Sequence, residues 1–135
     1  MVSMIASFAI GAGAAADPDP RANPESVPQD RVLWLGERIP QTDAQPASLA
    51  LALEGTAGNT CGVVLFASYD DPQRVTPANQ RWYQLNASAI TVTVGSIVRA
   101  PAIPGRIYVR VTTASAAAST LKAMALSVPY ATPVS

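Results

Sequence analysis

The sequence predicts an all-β fold: a single β-sandwich or jelly-roll-like domain of about eight short strands, with an extended N-terminal arm. Three observations predict it. Between Gly62 and Val111, strand-like runs follow one another at Gly62–Tyr69, Arg81–Val94 and Gly105–Thr113. The apolar residues of these runs are either continuous or alternate, and nowhere does a convincing helical period of roughly 3.6 residues hold. The runs are separated by turn residues, drawn from 12 prolines and 8 glycines in 135 residues.

Residues 1–28 are read as an apolar arm followed by a connector. Met4, Ile5, Phe8 and Ile10 followed by Ala14–Ala16 superficially resemble a secretory signal, but no Lys or Arg precedes the apolar run. The segment is too short to span a bilayer. A retained apolar segment must be buried, so it is expected to pair with its own sheet or with an adjacent protein chain. Asp17–Pro28 carries four prolines in twelve residues, which blocks both helix and central strand. It is an extended connector that either carries the arm away from the body or folds back on it as a surface loop.

The sandwich domain is placed at 29–130. Arg31–Leu35 is a short apolar strand ended by Gly36, and Trp34 on it is assigned to the core. Ile39–Pro46 is a loop. Ala47–Glu54 sets Leu49, Leu51 and Leu53 at period two with alanine between, fitting a strand with a small-residue second face, although Leu and Ala also form helices. Gly62–Ala67 is almost wholly apolar and reads as buried on both faces. After the polar loop Asp70–Gln80, Trp82 and Leu85 open a strand that Asn86–Ala89 can break with a turn. Ile90, Val92 and Val94 then alternate with threonines. Ile97–Ala100 is a short strand stopped by Pro101–Gly105. In the next strand Ile107, Val109 and Val111 alternate with Arg106, Tyr108 and Arg110, which predicts a half-buried strand. The inward set is therefore Val63, Leu65, Trp82, Ile90, Val92, Ile107, Val109 and Val111. Thr120–Val128 is the closing strand, with Leu121 out of phase with Met124, Leu126 and Val128; residues 131–135 form an extended tail.

Composition excludes several function classes. Nine basic and nine acidic residues cancel, so no cationic excess exists to bind nucleic acid. Charged residues are 13% of the chain, about half the usual share, and a surface so sparsely charged suits burial against neighbouring subunits. The absence of histidine removes imidazole triads, His-based zinc sites and the commonest general base. Cys61, the one cysteine, is read as a small buried hydrophobe. The carboxylates fall in turn-like settings (Asp17, Asp19, Asp70, Asp71) or singly beside elements (Glu37, Glu54), where capping roles are the default. No phosphate-binding loop, zinc cluster or calcium loop is present, so no catalytic, cofactor-binding or metal residue is assigned and no enzymatic activity is expected. Asn86-Ala-Ser88 formally matches a glycosylation acceptor. Rings that could stack on sugars are Trp34, Tyr69, Trp82, Tyr83 and Tyr108; Trp82 is assigned to the core, and Tyr83, on the opposite face of its strand, to the surface.

The order of an apolar strand ending Ser68-Tyr-Asp70, a loop, Trp82-Tyr-Gln-Leu85, an alternating strand, Pro101 to Val111, a small-residue loop and a final alternating strand resembles small β-rich virion proteins of tailed bacteriophages. The resemblance covers about residues 47–128. It implies a non-enzymatic capsid decoration or cement protein that binds the major capsid protein or other virion subunits and copies of itself. It further implies location in the virion, assembly in the host cytoplasm, and neither nucleic acid nor membrane as partner. A tail or fibre component and a carbohydrate-binding sandwich are the alternatives.

Overall fold

The computed structural model describes residues 2–13, 15–34, 44–101 and 105–129. Among them the chain forms nine strands: β1 (Val2–Ile10), β2 (Val32–Trp34), β3 (Ala44–Gly55), β4 (Thr60–Ser68), β5 (Tyr83–Gln84), β6 (Ile90–Thr93), β7 (Ile97–Pro101), β8 (Arg106–Ala114) and β9 (Ser119–Pro129). They pair antiparallel in two sheets. One sheet has the order β1-β9-β3-β7 and the other β2-β8-β4-β5, with β6 also on β4. With β5 and β6 counted as one interrupted strand, the chain crosses between sheets at nearly every step, and each sheet interleaves early and late strands. That is the jelly-roll wrapping, one of the two architectures the strand pattern predicts.

The core follows from strand periodicity. Leu49, Leu51 and Leu53 of β3, with Leu121 and Ala123 beside them on β9, face Cys61, Val63, Leu65 and Ala67 of β4 and Ile107, Val109 and Val111 of β8. The Leu/Ala run is therefore a strand, as its period-two spacing requires; its partners β9 and β7 lie along either side of it. It begins at Ala44, inside the expected loop, and Pro46 sits where its register with β9 shifts, a place where a missing N–H does not interrupt the ladder. On β9 the core side is carried by Leu121 and Ala123, while Met124 lies opposite Ala50 on the outer side. The residues 39–43, 102–104 and 131–135 of the expected loops and tail, and Leu35–Gly36, lie outside the described residues.

The N-terminal segment is the edge strand of the four-stranded sheet, with Phe8 and Ile10 buried in the core. From there the connector crosses to the five-stranded sheet and folds back along its outer face. Val27 packs with Val64, Phe66, Trp82 and Tyr108 in a second, smaller cluster, and Pro20 is fully buried. β4 is thus buried on both faces, as its unbroken apolar run predicts. β8 was expected to be half-buried, and this is corrected: Tyr108 is 0% exposed and Arg106 is buried, because the connector and the 70–82 loop cover that face. Trp82 is buried too, but in this outer cluster and not among the inward set. Gly62, also on the outer side, has no room for a side chain, since a Cβ would lie 2.7 Å from the Thr113 hydroxyl.

Asp17 fixes the connector. Its N–H donates to the Val111 carbonyl at 2.8 Å and its carboxylate accepts the Val111 N–H at 2.9 Å. This continues the pairing of β8 beyond the end of β2. Arg110 donates to the Asp17 carbonyl and Tyr108 to the Pro18 carbonyl, each at 2.9 Å. Arg31 pairs with the same carboxylate at 3.3 Å, covers the Phe8 ring and donates to the Ala9 carbonyl, so it ties both sheets to the connector. Asp17→Ala removes the carboxylate partner of the Arg31 guanidinium and leaves the Val111 N–H unpaired in a largely dry setting, and is expected to cost about 2–3 kcal/mol. Asp17→Asn, which retains an acceptor, is expected to cost about half as much. Urea denaturation of the two variants against the parent chain measures both.

Candidate binding surfaces

The aromatic side chains named as possible stacking platforms are divided by the fold. Tyr108 and Trp82 are buried: the Tyr108 ring stacks on Phe66 at a centroid distance of 6.1 Å and meets the Trp82 ring edge-on at 5.9 Å. Trp34, assigned to the core from sequence, is instead 59% exposed: β2 is a three-residue edge strand, and Leu33 is the residue it turns inward. Tyr83 is 52% exposed, on the surface as expected, and its ring lies 6.5 Å from that of Tyr69, which is 72% exposed. Both rings stand at the same end of the five-stranded sheet, since Tyr83 pairs with Ala67 and Tyr69 follows Ser68.

Beside Tyr83, the connector and the segment leading into β5 enclose a surface cleft of about 430 Å³, walled by Pro20, Arg21, Asn79, Arg81, Trp82 and Tyr83. Its local geometry is set by capped turns. Asp70 accepts the Arg81 N–H at 2.6 Å, and Asn79 donates to the Thr76 hydroxyl at 3.0 Å. Behind the cleft, Arg106 donates to Gln80 at 3.0 Å with its guanidinium over the Trp82 ring, and burial lowers its pKa. Asp19 grips Arg21 through two hydrogen bonds of 3.0 and 3.1 Å, and the guanidinium holds the carboxyl below its ordinary range. The indole N–H of Trp82 is buried and has no hydrogen-bond partner among the described residues. Sequence periodicity gives no signal for this cleft, because its walls come from two irregular segments.

The polar residues singled out in the sequence have structural roles here. Asp17 and Asp19 hold the connector, and Asp71 accepts the Gln73 N–H in a turn. Asn86, the formal glycosylation acceptor, is occupied: its Oδ1 accepts the Leu65 N–H at 2.8 Å and its Nδ2 donates to Val63 and Ser88 carbonyls. The side chain fills the gap between β5 and β6 along β4. A glycan on Nδ2 would break that ladder.

A different kind of surface is the outer face of the four-stranded sheet. Register places Ser7 and Ala9 of β1, Thr120 and Lys122 of β9, Ala50 and Ala52 of β3, and Ile97 and Arg99 of β7 on it. It carries one ion pair, Lys122–Glu54 at 3.1 Å, and Ile97 stands 69% exposed. No segment of the described chain crosses this face as the connector crosses the other.

Comparison with known proteins finds no matching protein-family model and no matching curated protein. The chain is similar to a chain of a solved structure described as the cryoEM structure of mud crab dicistrovirus, at 15% identity and a TM-score of 0.37, over 100% of this chain and 73% of that one. The superposition is too loose to establish a shared topology.

Burial pushes the Cys61 thiol up to about 11, with Arg31 opposing, and burial likewise raises the Tyr108 phenol. Both groups hold protons in the folded chain that the unfolded chain releases, so this stability is complete below about pH 9 and is lost as pH rises towards 11 and beyond. Cys61→Ala is expected to flatten the pH 9–11 part of that decline by ~2 kcal/mol. Chemical denaturation across that range measures the slope.

Proposed function

We propose that the chain is a non-enzymatic structural protein of a virus particle, acting as a capsid decoration or cement protein of the tailed-phage kind. Its partners are the major capsid protein or other virion subunits, together with copies of itself, and it is assembled in the host cytoplasm. The observation that carries the reading is the asymmetry of the jelly roll. The chain covers the outer face of one sheet with its own connector and leaves the small-residue outer face of the other sheet uncovered by any described segment.

A surface rich in alanine, serine and threonine lets a neighbouring subunit approach its backbone closely. Jelly rolls serve viral shells, lectins and cupins, so the architecture alone does not choose among them. The sequence weighs against a cupin-type metal centre, since it has no histidine to supply imidazole ligands. Sparse charge supports subunit contact, and distributed contacts of modest size suit a shell component better than a single deep site.

Ile97→Asp places a charge on the exposed apolar position of that face without entering the core. The parent chain is expected to co-sediment with assembled particles, and the variant to fold equally well while binding about tenfold more weakly. A parent chain that stays monomeric and never sediments with particles contradicts the reading.

A further inference from the structure

We propose that the cleft between the connector and the start of β5 binds a carboxylate-bearing sugar, with Tyr83 as the stacking ring and Arg81 as the carboxylate partner. The cleft is of saccharide size, at about 430 Å³, and lies open to solvent at the exposed Tyr83.

Its walls are rich in donors and contain no carboxylate. Arg21, Asn79 and Arg81 contribute guanidinium and amide N–H groups, and no Asp or Glu is among the lining residues. Arg81 forms no ion pair among the described residues, whereas Arg21 is already held by Asp19 and lies over the Phe66 ring. Arg21 is therefore a fixed wall and Arg81 the available cation. The guanidinium fork of Arg81 suits a carboxylate, and Asp70 fastens the backbone beneath it by accepting the Arg81 N–H.

A second observation is independent of the charges. The exposed Tyr83 face supplies the apolar surface on which the C–H side of a pyranose packs, with Tyr69 flanking it at 6.5 Å. The acceptor-rich, negatively charged and partly apolar character that these walls require is that of an acidic sugar.

The inference does not depend on the assembly reading, because the cleft and the bare face belong to different sheets. The test is binding of the intact chain to an array of sialylated, uronic-acid-containing and neutral oligosaccharides, with hits titrated by calorimetry. The expected result is binding to one or more carboxylated glycans, reduced about tenfold or more by Arg81→Gln and by Tyr83→Ala, with thermal unfolding unchanged in the exposed Arg81→Gln variant. Three results would overturn it: no glycan bound, neutral and acidic glycans bound equally, or binding that survives both substitutions.

Discussion

The fold depends on one carboxylate. Asp17 lies where the chain passes from one sheet to the other, and its side chain and backbone together bind the exposed edge of β8 at Val111 while pairing with Arg31. A proline-rich segment cannot form a ladder of its own, so it must be fastened at a few points. Here the fastening uses both hydrogen-bonding groups of a strand residue that β2 is too short to reach. Because Arg31 also covers Phe8 and reaches the Ala9 carbonyl, the same node seats the N-terminal strand. Edge, connector and second sheet are therefore coupled through one ion pair that is mostly removed from water.

That coupling determines which surfaces remain for function. With the connector seated, β4 and most of β8 are buried on both faces, and the rings of Phe66, Trp82 and Tyr108 form a compact aromatic cluster instead of a binding platform. What is left open is the alanine-rich face of the other sheet and the cleft that the connector forms with the segment before β5. One carries small side chains and few charges and is suited to another protein surface; the other is concave, donor-rich and suited to a small acidic ligand.

The elements were legible in the sequence wherever periodicity carried the information. The continuous apolar run of β4 announced burial on both faces, and the Leu49-Leu51-Leu53 alternation outweighed the helical propensity of Leu and Ala because two strands flank it. Less legible was what covered β4. A connector of prolines and short polar residues has no period, so a loop folded back on the body and an arm reaching away looked alike. The alternation of Arg106, Tyr108 and Arg110 suggested a wet face, yet Arg106 is sheltered by Gln80 and Trp82, and Arg110 reaches a backbone carbonyl. Trp34 was misplaced because hydrophobicity says nothing of a strand's position in its sheet. The cleft was invisible for a similar reason: its walls, around Pro20 and Arg81, meet only through tertiary packing.

The central claim is that the connector is an integral wall of the sandwich, clamped at Asp17. Native-state hydrogen exchange of the Val111 amide, whose proton the Asp17 carboxylate accepts, tests it most directly. If the clamp holds, this amide exchanges only through global unfolding, with the same free energy and denaturant dependence as the β4 and β8 amides of the core. Exchange of Val111 through a low-energy local opening, while β4 remains protected, would show that the connector detaches independently and would contradict the account.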